Sequence, residues 1–466
     1  MVQGIVEAGM IRLFNVYYPT RAIVLLLFEV LLISGSFLMA TAYLVGPDTY
    51  ISLVYENGML KIVSITALTL LLSYYFDLYE PQRISGRWEI YFRLLLVLSV
   101  LSFVLAVVVY FFPAIGIGRD VLVAGVSILV IALIIWRRLY EWIIGLSIFR
   151  ERVYVLGSGE RARSIVQILR SRRDVGMEVI TAESGGILNG QLVGYIADLR
   201  AFRKGEAAID RVVVAMEDRR GSMPVRELLA LRLSGVVIED ASSLIERLTG
   251  KVPLEGLTPS TLIFTEGFNV KAPLQFVRRL VSIAVSLIGL MICLPVIPFI
   301  ALAVRLSSPG PILFRQTRVG RRGRPFTIFK FRTMAQNAEA KGAVWAAKND
   351  PRVTSLGRFM RKTRLDEIPQ LWNVLHGDMA FVGPRPERPE FVQWLTNEIP
   401  YYELRHIIRP GITGWAQVRY QYGASLEETK QKLEYDLYYV KHLSLGLDLL
   451  IMFETIKTVV LRRGAQ

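Results

Sequence analysis

Apolar residues in this chain are gathered into blocks. Four lie at its start: Ala22–Val45, Met59–Phe76, Leu94–Phe112 and Val121–Trp136. Each approaches the roughly 17–25 residues that an α-helix needs to cross a bilayer. The charges between them alternate. Arg12 and Arg21 precede the first block, Arg83, Arg87 and Arg93 fill the second connection, and Arg137, Arg138, Arg150 and Arg152 follow the fourth. The other two connections hold only Lys61 and Arg119, offset by Asp48, Glu56 and Asp120. The positive-inside rule therefore predicts a four-helix transmembrane bundle over residues 1–148, with both ends in the cytoplasm. Four helices buried in a soluble protein would fit the block lengths and the alternating charge poorly.

From Arg152 to Gly250 the pattern changes to short β-branched runs separated by helical stretches. VYVLGSGERARSIVQILR reads as strand, glycine turn and helix; MEVITAE, DRVVVAM and GVVIED follow. This predicts a parallel-sheet, Rossmann-like α/β module over 149–250. Gly157-Ser158-Gly159 resembles the start of a dinucleotide fingerprint, and Glu183 stands where a ribose-binding acid would lie. Ala162 takes the place of the third glycine, so a structural strand-to-helix turn is the favoured reading. A linker, 251–275, follows.

A fifth apolar block, Leu280–Leu302, differs from the others. Arg278 and Arg279 precede it, and Arg305, Arg315, Arg318, Arg321, Arg322, Arg324, Lys330 and Arg332 follow with no acid among them. A straight span would place the most basic part of the chain outside, at about 1 kcal/mol per basic residue near an anionic leaflet. Pro295 and Pro298 each remove a helical hydrogen bond and crowd the preceding turn. The sequence thus predicts a re-entrant membrane helix over 280–306 that enters and leaves on the cytoplasmic face; a proline-kinked span is the alternative. The remainder, Ser307 to Gln466, is polar, basic and aromatic. Near its end Leu445, Leu449, Met452, Ile456 and Val459 recur at helical spacing, which predicts an amphipathic interfacial or core helix.

Composition agrees with a membrane protein. The chain has 466 residues, 53% hydrophobic and 20% charged, with net charge +15, and its mean hydropathy is +0.41. Such basicity points to anionic lipid, nucleic acid or a phosphorylated substrate; because the cations lie beside a membrane block, no nucleic acid is expected. The one cysteine, Cys293, rules out an internal disulfide or a cysteine-built zinc site. No small-residue cleavage site follows a short apolar core, so no removable signal peptide is expected. His376, His406 and His442 lack metal-ligand spacing and are taken as structural.

The chemistry concentrates after residue 307. SPGPILFRQTRVGRRGRPFTIFKFRTM alternates glycine, cation and aromatic, a composition suited to anion contact; a lipid-adhering face is the plainer alternative. Arg385 and Arg409 sit in Pro/Gly loops that present a group rigidly. In RKTRLDEIPQLWN, Ile368, Leu371, Trp372 and Leu375 fall at helical spacing, and Pro369 is tolerated only in a first turn. The helix should then start near Asp366, where the dipole favours an ionised acid and an approaching phosphate. Asp366 as a simple N-cap is the alternative. The surrounding cations favour an ionised acid working on a phosphate through Mg²⁺.

SPGP, KFRTM, LDEIPQLWNVLHGDM, FVGPRP and RPGITGWAQV together resemble the monotopic phosphoglycosyl transferases, bacterial sugar transferases that begin exopolysaccharide and glycan assembly. The resemblance covers about Phe276 to the C-terminus, and the whole layout is similar to the large multidomain branch. It implies an α/β catalytic domain, 276–466, on the cytoplasmic face of the bacterial inner membrane, and a homodimer. It implies transfer of a sugar-1-phosphate from a UDP-sugar to undecaprenyl phosphate, with release of UMP. Asp366 matches the family nucleophile, forming an aspartyl-phosphosugar intermediate near Mg²⁺, and Glu367 matches its partner. Lys330, Arg332 and Arg385 match groups near the nucleotide phosphates, and Asp436 matches a C-terminal family acid. Arg364 and Arg409 join them as substrate-binding candidates among the neighbouring cations. Two stretches depart from the family pattern: Leu294-Pro295 replaces a Ser-Pro pair, and QVRYQYG replaces QVNGRN, which puts Arg419 nearest the family's arginine.

Two other functions fit the sequence less well. A nucleotide-sugar dehydratase or reductase of the short-chain type needs Tyr-x-x-x-Lys, and no such spacing occurs. A membrane scaffold of polysaccharide export explains the helices but not the phosphate-binding motifs.

Overall fold

The computed structural model describes residues 6–7, 9–80, 86–112, 118–146, 150–157, 159–180, 209–216, 223–265, 267–335, 350–420 and 425–460. Ser158, Glu183 and Arg83 lie outside the described residues. The chain forms two compact units, one of Met1–Arg12 with Tyr18–Ala241 and one of Leu13–Tyr17 with Ser242–Gln466.

In the first unit the four apolar blocks are helices: Thr20–Val45, Gly58–Tyr75, Arg87–Phe111 and Arg119–Gly145. All are long and apolar enough to cross a membrane. They share a core that includes Ile33, Phe37, Ile62, Val97, Leu101 and Leu129, while Leu31, Tyr43, Leu95 and Phe103 face outward. Two of the arginines counted as cytoplasmic charge turn toward acids of the bundle. Arg137 is 6% exposed and pairs with Glu29, 2% exposed, at 2.6 Å; it also donates to the Leu78 carbonyl at 3.1 Å. The Tyr79 hydroxyl donates to Glu29 at 2.5 Å. Arg93 pairs with buried Asp77 at 3.5 Å and donates to the Phe76 carbonyl at 3.0 Å. These ionic groups tie the helices together where lipid supplies no hydrogen-bond partner.

The same unit holds an open parallel sheet with strand order Met177–Val179, Glu151–Leu156, Arg211–Val214, Val237–Asp240. Its central strands are buried because both faces are covered, as expected of β-branched runs without alternation. Gly157 adopts φ +147, and a Cβ there would meet the Ala215 carbonyl oxygen at 2.7 Å. A tight approach between neighbouring strands accounts for this glycine without a ligand.

The second unit begins earlier than Gly250. Helix Ala241–Thr249 places Glu246 against Lys441 at 2.7 Å and His442 at 2.6 Å, and Gly250 accepts a hydrogen bond from the Trp415 indole at 2.9 Å. The stretch expected to be a linker carries a helix, Pro259–Phe264. Residues near the N-terminus also belong here: Asn15 donates to the His442 carbonyl and accepts from the Tyr438 hydroxyl. The fifth apolar block is two helices, Ala272–Cys293 and Ile297–Ser307, interrupted at Pro295. Leu290, Cys293, Ile297, Ile300 and Val304 from both arms pack with Phe331, Met360, Ile368 and Leu371 in one apolar cluster. An antiparallel hairpin, Leu313–Val319 with Pro325–Phe331, follows. Gly323, at φ +75, forms its tip, so part of the glycine pattern read as ligand contact is turn geometry.

The C-terminal helix, Leu445–Val460, forms where the sequence predicts an amphipathic helix. Asp448, Glu454 and Lys457 are buried, whereas Leu449, Ile456 and Val459 are exposed. Leu447 and Ile451 are buried on the same side as these charges, so the inward face is both apolar and ionic.

Removing one member of a buried ion pair strands the other, at a cost of about 3 kcal/mol or more. Glu29→Met and Arg137→Met should each lower the melting temperature in detergent. The double replacement should be more stable than either single one; additive losses would contradict the pairing.

Candidate active site

The acids sit between two short helices. Helix Ser355–Thr363 ends at Arg364, which takes the left-handed conformation at φ +60. This is uncommon for a residue with a Cβ and is sustained only where surroundings enforce it. The reversal turns the chain into a 3-10 turn, Leu365–Glu367. Helix Gln370–His376 starts after Pro369, so the acids lie just ahead of it rather than at its first residue, as the sequence pattern predicted. The reason is Pro369 itself, which has no N–H for the preceding turn to use. Trp372, expected on the packed face, is 60% exposed, while Ile368, Leu371 and Val374 are buried.

Glu367 is 7% exposed and gathers three cations. Lys330 reaches its Oε1 at 3.1 Å, Arg385 the same oxygen at 2.7 Å, and Arg364 its Oε2 at 3.5 Å. Burial alone would raise this carboxyl, but Arg385, Lys330 and Arg364 outweigh it and hold Glu367 well below the ordinary range. Asp366 beside it is also buried, at 6%, yet forms no hydrogen bond or ion pair with the described residues. Burial raises its carboxyl, the charge of Glu367 adds to the rise, and Lys330, Arg385 and Arg361 work against it. The helix end expected to keep Asp366 ionised is therefore outweighed by desolvation.

Several further groups hold these residues in place. Asn373, fully buried, donates to the Thr327 carbonyl at 2.7 Å and accepts from the Phe329 N–H at 3.1 Å, fixing the strand that carries Lys330. Arg385 also donates to Gln417 at 3.2 Å. Strands Ala380–Val382 and Gly411–Thr413 pair in parallel. Gly383 lies against Gly411 so closely that a Cβ on Gly411 would stand 2.1 Å from the Gly383 nitrogen, which is why the PRP and PGITG loops carry glycine there.

Two sequence candidates do other work. Arg332 was expected near the nucleotide phosphates. Its guanidinium instead donates to the carbonyls of Pro311, Val304 and Ser308, fastening the second apolar arm to the strand. Lys330 lies on the strand Pro325–Phe331 and Arg332 just past its end, where these carbonyls draw it away from the acids. Asp436 was also expected at the substrate. It is 2% exposed and pairs with Arg405 at 2.8 Å, and Arg405 donates to the Arg385 carbonyl at 2.9 Å. Asp436 thus acts on the site through the backbone of Arg385. Arg409 makes no contact with the acid cluster; it lines a separate crevice. Arg419 stacks over Trp415 at 4.6 Å and pairs with Glu454 at 3.6 Å. His406 is neutral, its pKa pushed down to about 3 by burial.

Arg405 and Gln417 were missed by the sequence analysis. A signal for Arg405 existed: Asp436 lies in the apolar run EYDLYYV, and a buried acid there requires a cation from elsewhere. Gln417 carried no local signal.

A family model described as bacterial sugar transferase matches residues 274–462. Over 325 residues the chain is 35% identical to an Escherichia coli UDP-glucose:undecaprenyl-phosphate glucose-1-phosphate transferase, covering 66% of this chain and 67% of that protein. It is 41% identical over 264 residues to an Aeromonas hydrophila UDP-N-acetylgalactosamine-undecaprenyl-phosphate N-acetylgalactosaminephosphotransferase, covering 56% of this chain and 62% of that one. A match to a Rhizobium leguminosarum exopolysaccharide production protein, 39% identical, spans 40% of this chain and 96% of the relative. The chain belongs to the bacterial sugar transferase family, although it spans less than two thirds of the Aeromonas protein's length.

Asp436→Ala should leave Arg405 buried and uncompensated, costing about 3 kcal/mol of stability. Thermal unfolding of the purified protein measures this. A melting temperature equal to wild type would show that the pair does not support the Arg385 loop.

Proposed function

We propose that this protein transfers a sugar-1-phosphate from a UDP-sugar to undecaprenyl phosphate at the cytoplasmic face of the bacterial inner membrane, releasing UMP and beginning exopolysaccharide or glycan assembly. The observation that carries the reading is Asp366, a buried carboxylate without a partner, beside three cations arranged by Glu367. Lys330, Arg364 and Arg385 with Glu367 leave a net positive charge for a diphosphate, and their side chains are 20%, 23% and 27% exposed, open to a ligand.

Asp366 attacks the β-phosphorus of the donor. The bond from that phosphorus to the UMP oxygen breaks, UMP leaves with the electron pair, and an aspartyl-phosphosugar remains. An oxygen of undecaprenyl phosphate then attacks the same phosphorus and frees the Asp366 carboxylate. Phosphoryl transfer depends chiefly on such positioning and charge neutralisation, and a carboxylate nucleophile divides it into two steps. Among the described residues no group of three acidic, histidine or cysteine side chains stands ready for a metal, and the Glu367 oxygens are occupied. Asp366 would hold a Mg²⁺ together with phosphate oxygens and water, the mode in which this ion binds phosphates. When bound it neutralises diphosphate charge. Glu367 serves to place the cations rather than to react.

The re-entrant reading of the apolar pair Ala272–Cys293 and Ile297–Ser307 is supported by the packing of both arms on one cluster next to the acids. Exposed Leu287, Met291, Phe299 and Leu302 suit contact with lipid. This arrangement holds a water-facing site at the depth of a lipid phosphate. The Rossmann-like module, with its structurally explained Gly157, is read as non-catalytic.

Purified protein given a panel of UDP-sugars and undecaprenyl phosphate should release UMP with its own donor, and Asp366→Asn should lower the rate by more than about a thousandfold. Release at the wild-type rate would exclude Asp366 as nucleophile. A nucleophile must be ionised, so activity should fall as pH drops through the raised Asp366 pKa. Glu367→Gln removes a negative neighbour and should move this acid limb to lower pH; a shift upward would contradict the arrangement. In Cys293→Ser protein, a cysteine at Ser307 should resist membrane-impermeant labelling from the periplasm, and labelling there would exclude the re-entrant path.

A further inference from the structure

Arg409 stands apart from the acid cluster. A shallow, open crevice lies between Gln275, Arg278 and Arg279 on the first apolar arm and Ile408 and Arg409 on the facing loop. None of its lining residues belongs to the group around Glu367. Its charges are unevenly compensated. Arg278 is paired with Asp448 at 2.6 Å and hydrogen-bonded to Tyr439. Arg279 donates to the carbonyls of Val374 and Leu375 and is drawn by Asp378. Arg409 has no hydrogen bond or ion pair with any described residue. Its charged neighbours are Arg278, Arg279 and Arg321. Burial, with Arg279 and Arg278 adding to it, lowers its pKa, but a guanidinium stays charged at any physiological pH. A half-buried cation facing other cations is costly unless an anion completes the site.

The crevice lies along the first two turns of an apolar helix, where Phe276 and Leu280 are exposed. Basic residues at such a position meet the phosphate layer of a membrane. We infer that Arg409 and Arg279 bind the phosphate of a membrane lipid in this crevice, at a site separate from the acid cluster. Arg279, held by two carbonyls, presents a fixed edge, and Arg409 supplies the uncompensated charge. Gln275, whose amide donates to the Val270 carbonyl at 3.3 Å, lies at the rim.

The test reads binding without turnover, so it fails independently of the transferase reading. The full-length protein is placed in phosphatidylcholine nanodiscs containing a minor share of phosphatidylglycerol, and native mass spectrometry counts the anionic lipid retained. The wild type should keep one phosphatidylglycerol tightly. Arg409→Gln, which loses a charged contact, and Gln275→Glu, which adds a repelling charge, should each weaken retention about tenfold. Arg409→Lys should restore part of it. Arg409→Gln should melt no lower than wild type, since Arg409 has no side-chain partner among the described residues. Retention unchanged in both Arg409→Gln and Gln275→Glu would overturn the proposal. Added undecaprenyl phosphate distinguishes the two lipid sources: displacement identifies the polyprenyl phosphate as the preferred occupant, and no displacement identifies the bulk phospholipid. Displacement by inorganic phosphate or UMP at matching concentration would overturn the lipid assignment.

Discussion

Glu367 is the constraint on which the site depends. A carboxylate taken out of water must be matched by cations, or it protonates. Here three are matched to it at once, from a strand (Lys330), from a left-handed turn (Arg364) and from a Pro-Arg-Pro loop (Arg385). One buried charge thus draws together segments far apart in the chain and leaves a cationic rim around Asp366. Without Glu367, Lys330, Arg364 and Arg385 would repel one another. With it, they form a cationic cluster held in place before any ligand arrives.

The surrounding structure keeps this cluster beside the apolar helix pair. Ile368 and Leu371 follow the acids by one turn and pack on both apolar arms. Arg332 ties the second arm to the strand of Lys330, and Asn373 ties that strand to the helix after the acids. The order along the chain, apolar pair, strand hairpin, acid turn, becomes a single short path from the apolar pair to the carboxylate. Leu449, Ile456 and Val459 of Leu445–Val460 add a further exposed apolar surface.

The local pattern made the elements legible. The four bundle helices, the parallel sheet, the proline break and the acid pair each follow from periodicity or from the chemistry of one residue. Partnerships between distant side chains were not legible. Arg332 and Lys330 stand two positions apart, yet one meets carbonyls and the other a carboxylate. Asp436 is separated from Arg405 by thirty-one positions, and nothing in either neighbourhood names the other. Arg93 and Arg137, counted as surface charge, face acids inside the bundle. The sequence also overstated the role of the helix end at Asp366, because burial cannot be read from spacing.

The account rests on Asp366 acting as the nucleophile. Incubating the purified protein with its UDP-sugar in the absence of undecaprenyl phosphate, then digesting it and weighing the peptide that contains Asp366, tests this directly. The account predicts one added phosphosugar on that peptide, formed as UMP is released, lost when undecaprenyl phosphate is added, and absent from Asp366→Asn. UMP release that requires undecaprenyl phosphate and leaves that peptide unmodified at every time would contradict it.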